Sequence, residues 1–184
     1  MSNESQEQPL SGSRAAVMIG PLFEDAEAIY PYYRLQEAGA EVTVVGLEPG
    51  SVTGKKGMDL EVDKAAGDVS ADDFDLIVIA GGFGPDKLRT DEGVLGLVRG
   101  MQEQDKPIAF ICHAGWVPAS AGIVGGRRLT SVPAIKDDLV NAGADWEDAE
   151  VVVDGNFISS RRPPDLPAFM RATIEVAARA GAPA

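Results

Sequence analysis

Short apolar runs alternate with longer stretches of helical spacing along most of this chain. The runs predict strands at 14–19, 41–46, 75–80 and 108–111, a hairpin at 151–159 around the turn Asp154-Gly155-Asn156, and a small hairpin or edge excursion at 51–62. Apolar positions at helical spacing predict helices at about 23–39, 91–104, 135–141 and 165–180, with a shorter helix after Cys112. The run at 75–80 is continuously apolar, as in a strand buried on both faces of a parallel sheet. The alternation predicts an α/β three-layer sandwich, with helices on both faces of a mostly parallel sheet.

The same pattern sets the domain boundaries. Residues 1–13 are polar and rich in Ser, Gln and Glu, which predicts a disordered tail. Residues 14–184 carry no repeat or low-complexity linker, so they are predicted to form a single domain.

Charge and cysteine content narrow the function classes. A formal net charge of -13 argues against nucleic acid and anionic membrane surfaces as partners. No apolar stretch is long enough to cross a bilayer, and the first residues lack the features of a secretory signal. A lone cysteine cannot form an internal disulfide, which fits a reducing compartment. We therefore expect a cytoplasmic location.

Cys112 and His113 are the only cysteine and the only histidine of the chain, and they are neighbours. They follow the apolar run 108–111 and precede small residues, which predicts a turn from a strand into a helix. The first N–H groups of a helix favour a thiolate over a thiol, so this pattern is typical of a reactive cysteine. The alternative is a buried cysteine that packs as a small apolar side chain.

Three predicted strands end in segments that offer further chemistry: Gly20 to Glu24, Gly81 to Asp86, and Cys112-His113. Sites in open α/β sheets form at the carboxyl ends of strands, so these segments are expected to meet in one crevice. Cys112 would be the nucleophile there, and the backbone N–H groups of Gly81, Gly82 and His113 would hold an oxyanion. Glu24 would exchange a proton beside the sulfur.

Simpler interpretations of the same residues exist. Glu24 is also explained as an acid at a helix start, where the helix dipole favours it. Gly81-Gly82 is also explained as a tight turn, and Asp86 as the N-cap of the following helix.

Several longer motifs match a known family, namely Phe23-Glu24-Asp25, Ile29 to Arg34, the Gly81-Gly82 turn, Ile111-Cys112-His113, Ser120 to Gly122, Ile135 to Gly143 and Glu150 to Asn156. With them the chain resembles the DJ-1/PfpI family, and most closely its PfpI-type branch. The resemblance extends from about Arg14 to about Val176.

The resemblance implies a flavodoxin-like sandwich with Cys112 on a nucleophile elbow. It implies that Glu24 is the family's buried, protonated acid beside the sulfur, that His113 is the histidine following the nucleophile, and that the backbone donors are Gly82 and His113. Asp86 matches an acid that a neighbouring subunit contributes in PfpI-like proteins. Homo-oligomers, dimers or hexamers, are therefore expected.

Three positions depart from the pattern of that family. Gly115 stands where proline is usual, Phe110 where a small residue is usual, and Val132 where tyrosine is common. These changes are expected to alter the choice of substrate, or to weaken catalysis, more than they alter the fold.

Four functions follow as hypotheses. The first is an enzyme without cofactor or metal that acts on small reactive carbonyls, glyoxalase III-like or deglycase-like, through a Cys112 hemithioacetal. The second is a cysteine peptidase or amidase with a Cys112-His113 dyad and Asp86 from a neighbouring subunit. The third is a redox or stress-response sensor or chaperone, based on cysteine oxidation. The fourth is a hydratase or lyase of specialised metabolism.

Overall fold

Seven of the eleven strands form one central sheet in the computed structural model, which describes residues 8–181. The strands are β1 Arg14–Met18, β2 Glu41–Gly46, β3 Gly50–Thr53, β4 Asp59–Val62, β5 Lys64–Ala65, β6 Leu76–Ile79, β7 Ile108–Ile111, β8 Arg128–Leu129, β9 Asp145–Trp146, β10 Val151–Asp154 and β11 Phe157–Ser160. The sheet order is β10-β11-β7-β6-β1-β2-β5, and only β10 runs antiparallel to its neighbour. Strands β3 and β4 form a separate hairpin, and β8 pairs with β9.

Helices cover both faces of the sheet, which confirms the predicted α/β sandwich. They are α1 Asp25–Glu37, α2 Gly84–Leu88, α3 Glu92–Glu103, α4 Trp116–Ser120, α5 Lys136–Asn141 and α6 Leu166–Ala180. One apolar core packs α1 and α6 against the sheet, and the other packs α2 to α5 against the opposite face. Within residues 8–181, no helix combines the length and the apolar character needed to span a bilayer.

The side chains of β7, the strand that leads to Cys112, alternate between the two cores. Ile108 and Phe110 belong to the core of α2 to α5, whereas Ala109 and Ile111 belong to the core of α1 and α6. Phe110 is fully buried, with its ring edge-on to that of Phe157 at 5.7 Å. The large side chain at this position is therefore accommodated in the core, away from the sulfur.

The start of the chain differs from the predicted tail. Residues 8–13 form turns that pack on the end of α1, and residues 1–7 lie outside the described part of the chain. Leu10 is 1% exposed, and its amide donates to the Ala38 carbonyl at 2.8 Å. A single buried leucine within a polar stretch accounts for the difference, because composition averaged over the segment hides it.

Candidate functional site

Cys112 lies at the point where β7 ends and a short 3-10 turn, Cys112–Gly115, begins. Its φ is +62°, a left-handed conformation that costs free energy for a residue with a Cβ. Helix α4 follows directly. This sharp change of direction presents the side chain at the carboxyl edge of the sheet, as the sequence predicts for a nucleophile on a strand-to-helix turn.

Two backbone amides and one imidazole surround the sulfur. The amides of Gly82 and His113 donate hydrogen bonds to it, and His113 Nδ1 lies 3.3 Å from Sγ. Gly82 has a φ of +82°, and an antiparallel bridge holds it against Phe23. The structure therefore brings together Cys112, His113 and Gly82, as predicted. Gly81 uses its amide differently, because it donates to Glu27 Oε2 at 2.9 Å.

The acid beside the sulfur is Glu27, and the prediction that Glu24 takes this place is wrong. A Cβ added to Gly81 would contact Glu27 Oε2 and would lie 2.7 Å from the Cys112 Cβ, so the two side chains meet across this glycine. Glu27 is fully buried. Burial, followed by the charge of Glu24, raises the pKa of Glu27 to about 8. At neutral pH this carboxyl is therefore mainly protonated.

Glu27 carries a signal that sequence reasoning missed. It lies on the same helical stripe as Ala28, Pro31 and Leu35, all of them buried. An acid on the apolar face of an amphipathic helix is buried, and burial of a charge is costly. Such a position therefore indicates a specific partner for the carboxyl group.

Glu24 instead forms ion pairs with two lysines of the loop between β3 and β4. Its Oε2 lies 2.5 Å from Lys55 Nζ, and its Oε1 lies 2.9 Å from Lys56 Nζ. Burial acts to raise the pKa of Glu24, but hydrogen bonds and charges from the two lysines outweigh it and lower the pKa. Glu24 is therefore an ionised counterion at the site.

The loop carrying those lysines is anchored to the first turn of α1. The carboxylate of Asp25 accepts hydrogen bonds from the amides of Lys56 and Met58, each at 2.9 Å. The sequence predicts the hairpin but not its contact with the site, because the contact joins segments about 30 residues apart in sequence.

The ionisation of Cys112 also differs from the sequence prediction. Burial, and after it the charge of Glu27, raises the pKa of the Cys112 thiol to about 12, although the amides of His113 and Gly82 act to lower it. The turn after Cys112 has only four residues and α4 only five, so few aligned peptide dipoles oppose the loss of hydration. The thiol and the Glu27 carboxyl therefore titrate as a coupled pair.

His113 is half-buried and uncharged at neutral pH. Burial, followed by the charge of Lys55, lowers its pKa from the usual value. Its ring centre lies 5.3 Å from that of Trp116, whose Nε1 donates to Asp138 Oδ2 at 2.7 Å. A neutral imidazole in contact with the sulfur can accept a proton from it or return one.

Asp86 is exposed and lies inside α2, so it is not the N-cap of that helix. Its carboxylate lies 3.8 Å from the ammonium of Lys87. A contribution of Asp86 to the site of a neighbouring subunit stays a prediction.

Two of the departures from the family pattern lie behind Cys112. A Cβ on Gly115 would come within 3.2 Å of a Leu139 methyl carbon and 3.3 Å of an Ile135 methyl carbon, so glycine lets α5 approach closely. The amide of Val132 donates to the carbonyl of Cys112 at 3.4 Å.

As for a metal, no three His, Cys, Asp or Glu side chains between residues 8 and 181 are grouped to hold one.

Comparisons with known proteins found relatives that match most of the chain in sequence and in fold. The model of the DJ-1/PfpI family matches residues 13–176. The chain is 46% identical to a protein named Deglycase PfpI from Pyrococcus furiosus, over 84% of this chain and 93% of the relative. It is 42% identical to a Bacillus subtilis protein named putative cysteine protease YraA, over 89% of this chain and 97% of the relative. The crystal structure of Drosophila melanogaster DJ-1beta superimposes with a TM-score of 0.84 at 34% identity, covering 90% of this chain and 91% of that one. On these matches, the chain belongs to the DJ-1/PfpI family.

Proposed function

We propose that this protein is a cysteine-dependent, deglycase-like enzyme that acts on small reactive carbonyls through Cys112. The observation that carries the proposal is the set of groups around the sulfur. It comprises the buried carboxyl of Glu27, the imidazole of His113 at 3.3 Å, and the amides of Gly82 and His113. The deglycase name of a relative at 46% identity supports the same chemistry.

The reaction starts from the Cys112–Glu27 pair after it has lost one proton. The remaining proton lies between the two side chains, and the amides of Gly82 and His113 favour negative charge on the sulfur. The thiolate adds to the aldehyde carbon of a 2-oxoaldehyde, so an S–C bond forms and the carbonyl π pair moves to oxygen. Glu27 gives its proton to that oxygen, and a hemithioacetal results.

His113 then moves the proton between the two carbons. Its neutral imidazole takes the proton from the sulfur-bearing carbon and returns it to the adjacent carbon. The Glu27 carboxylate takes the hydroxyl proton from the oxygen on the sulfur-bearing carbon and gives it to the oxygen on the adjacent carbon, so the hemithioacetal becomes a thioester of a 2-hydroxy acid. Water hydrolyses the thioester and restores the thiol, so no external oxidant or reductant is consumed. With the hemiaminal adduct of an amine as substrate, the thiolate displaces the amine. The S–C bond forms, the C–N bond breaks, and Glu27 gives its proton to the leaving nitrogen, which yields the same hemithioacetal.

Replacement of the sulfur tests the proposal. Wild-type protein is expected to convert methylglyoxal to lactate and to release amine from a methylglyoxal–amino acid adduct. Cys112→Ala is expected to reduce both reactions to the background rate, since the S–C bond cannot form. Lactate and free amine are measured in parallel, with circular dichroism to verify that the variant is folded.

Adduct decay without protein is the control for spontaneous reversal. Equal lactate formation by wild type and Cys112→Ala would contradict the proposal. Amine release that is fully explained by the removal of free methylglyoxal, with no lactate formed, would also contradict it.

A peptidase or amidase is the second candidate, and the contact of His113 Nδ1 with Sγ favours it. A relative at 42% identity is named a putative cysteine protease. In this version the protein is a homo-oligomer in which the exposed Asp86 of one subunit orients His113 of another.

Asp86→Ala is expected to lower peptide hydrolysis at least tenfold, measured on isolated oligomer fractions. Hydrolysis that is equal in the variant, or that resides in monomer fractions, would reject the shared site.

A further inference from the structure

Lys55, on the loop between β3 and β4, is held beside the Cys112 site at both ends. Its amide donates to the Phe23 carbonyl at 2.9 Å, and Phe23 forms the bridge to Gly82. Its ammonium lies 2.5 Å from Glu24 Oε2 and 6.0 Å from the centre of the exposed Phe83 ring. Lys55 is therefore attached to the two segments that frame the sulfur on this side.

The neighbouring Lys56 offers an internal comparison. It pairs with the other oxygen of the same carboxylate at 2.9 Å, but its side chain is 65% exposed, against 36% for Lys55. The Lys56 amide is bound to Asp25. The two lysines thus share a counterion and a loop, and they differ in how far they extend into solvent.

The field of Lys55 reaches the ionisable groups of the site. The pKa of Lys55 is raised first by its hydrogen bond to Glu24, and also by the charges of Cys112 and Glu27. In the other direction, Lys55 acts to lower the pKa of Glu27 and that of His113. The titratable groups that interact with the sulfur are therefore Glu27, His113 and Lys55, and Glu24 forms the ion pair with the lysine.

We propose that Lys55 is the cation of the Cys112 site, where it stabilises the thiolate and favours small electrophiles that carry a carboxylate over neutral ones. Glu24 holds the ammonium in place and does not exchange protons with the sulfur. A fixed positive charge near a partly desolvated anion interacts with it more strongly than the same charge would in bulk water. Lys55 is thus a positioning residue for the thiolate and a specificity residue for the ligand.

Alkylation with two reagents tests this inference, and it does not depend on the proposed carbonyl chemistry. Iodoacetate and iodoacetamide both form an S–C bond with the thiolate and release iodide, but only iodoacetate carries a negative charge. The rate constant for iodoacetate divided by that for iodoacetamide therefore reports on the cation beside the sulfur. Lys55→Met is expected to lower this ratio roughly three- to tenfold, and to move the pH midpoint of iodoacetamide alkylation upward by about half to one pH unit.

Three further variants make the result specific. Lys56→Met should leave the ratio within about twofold of wild type, and Lys55→Arg should preserve it because the charge remains. Removal of Lys55 leaves Glu24 with one partner, so the double variant Glu24→Gln/Lys55→Met removes the buried charge as well and should show the same low ratio as Lys55→Met. An unchanged ratio in Lys55→Met, or an equal fall in Lys56→Met, would overturn the inference.

Discussion

Glu27→Gln is expected to become progressively more stable than wild type as the pH rises from about 5 to 9. The pKa of Glu27 in the folded protein is about 8, raised first by burial, whereas an unfolded glutamate titrates near 4.3. Because the folded value is the higher one, the stabilising contribution of this carboxyl is fully present below about pH 4. It is lost as the pH rises towards 8. The loss amounts to roughly 4–5 kcal/mol of unfolding free energy, since each pKa unit corresponds to about 1.4 kcal/mol.

Glutamine is a suitable replacement because it keeps the shape of the side chain and cannot ionise. Its carbonyl can accept the hydrogen bond that the Gly81 amide now gives to Glu27 Oε2, and its NH2 group can face the sulfur. The difference in stability between the two proteins should therefore follow the ionisation of Glu27. His113 is present in both proteins, so its own titration largely cancels in that difference, whereas the titration of Cys112 is coupled to Glu27 and is part of the measured effect.

Urea unfolding at pH 5, 7 and 9 measures the effect, with Glu37→Gln as the matched control. Glu37 is an exposed residue at the end of the same helix and pairs with Arg34. Its replacement should shift stability by less than about 0.5 kcal/mol at every pH. If the curves of Glu27→Gln and wild type stay parallel from pH 5 to 9, Glu27 is ionised throughout that range and cannot donate the proton in the proposed reaction.

The sequence predicts the fold well, because its main signals are local. Four apolar runs gave β1, β2, β6 and β7 at nearly the observed positions, and the turn Asp154-Gly155-Asn156 placed the hairpin of β10 and β11. The order of strands along the chain then restricts the topology, since parallel strands need crossover helices. Short elements such as β5, β8 and β9, with two residues each, have too few positions to show a period.

The site was only partly predictable, since it depends on which side chains fold inward and what they meet. Cys112, His113 and Gly82 could be placed because a strand end and a turn position them directly. The choice between Glu24 and Glu27 could not be made on charge alone. In the structure the ammonium of Lys55 binds Glu24, whereas Glu27, on the buried face of α1, meets the sulfur. That lysine arrives from a hairpin about 30 residues away, and no local pattern encodes such a contact.

Gly82→Ala is expected to destabilise the protein by about 3–5 kcal/mol. Gly82 has a φ of +82°, which side chains with a Cβ rarely adopt. An added Cβ would overlap the Glu24 amide nitrogen and would lie 2.6 Å from the Phe23 carbonyl carbon. Both are backbone atoms, and the hydrogen bond from the Glu24 amide to the Gly81 carbonyl holds their segment in place. That segment therefore cannot shift without moving the Gly82 amide, which donates to the sulfur.

The matched control is Gly96→Ala, in the interior of α3. A Cβ there meets no atom within 4 Å, and the helical backbone suits alanine, so we expect a gain of about 0.5–1 kcal/mol. Urea unfolding monitored by circular dichroism compares both variants with wild type, and the iodoacetamide rate of each reports on the sulfur. Opposite signs in stability, with slower alkylation in Gly82→Ala alone, are the expected result. A loss below about 1 kcal/mol in Gly82→Ala, with an unchanged alkylation rate, would mean that the turn can relax around a side chain. In that case the Gly82 amide could not be treated as a fixed donor to the thiolate.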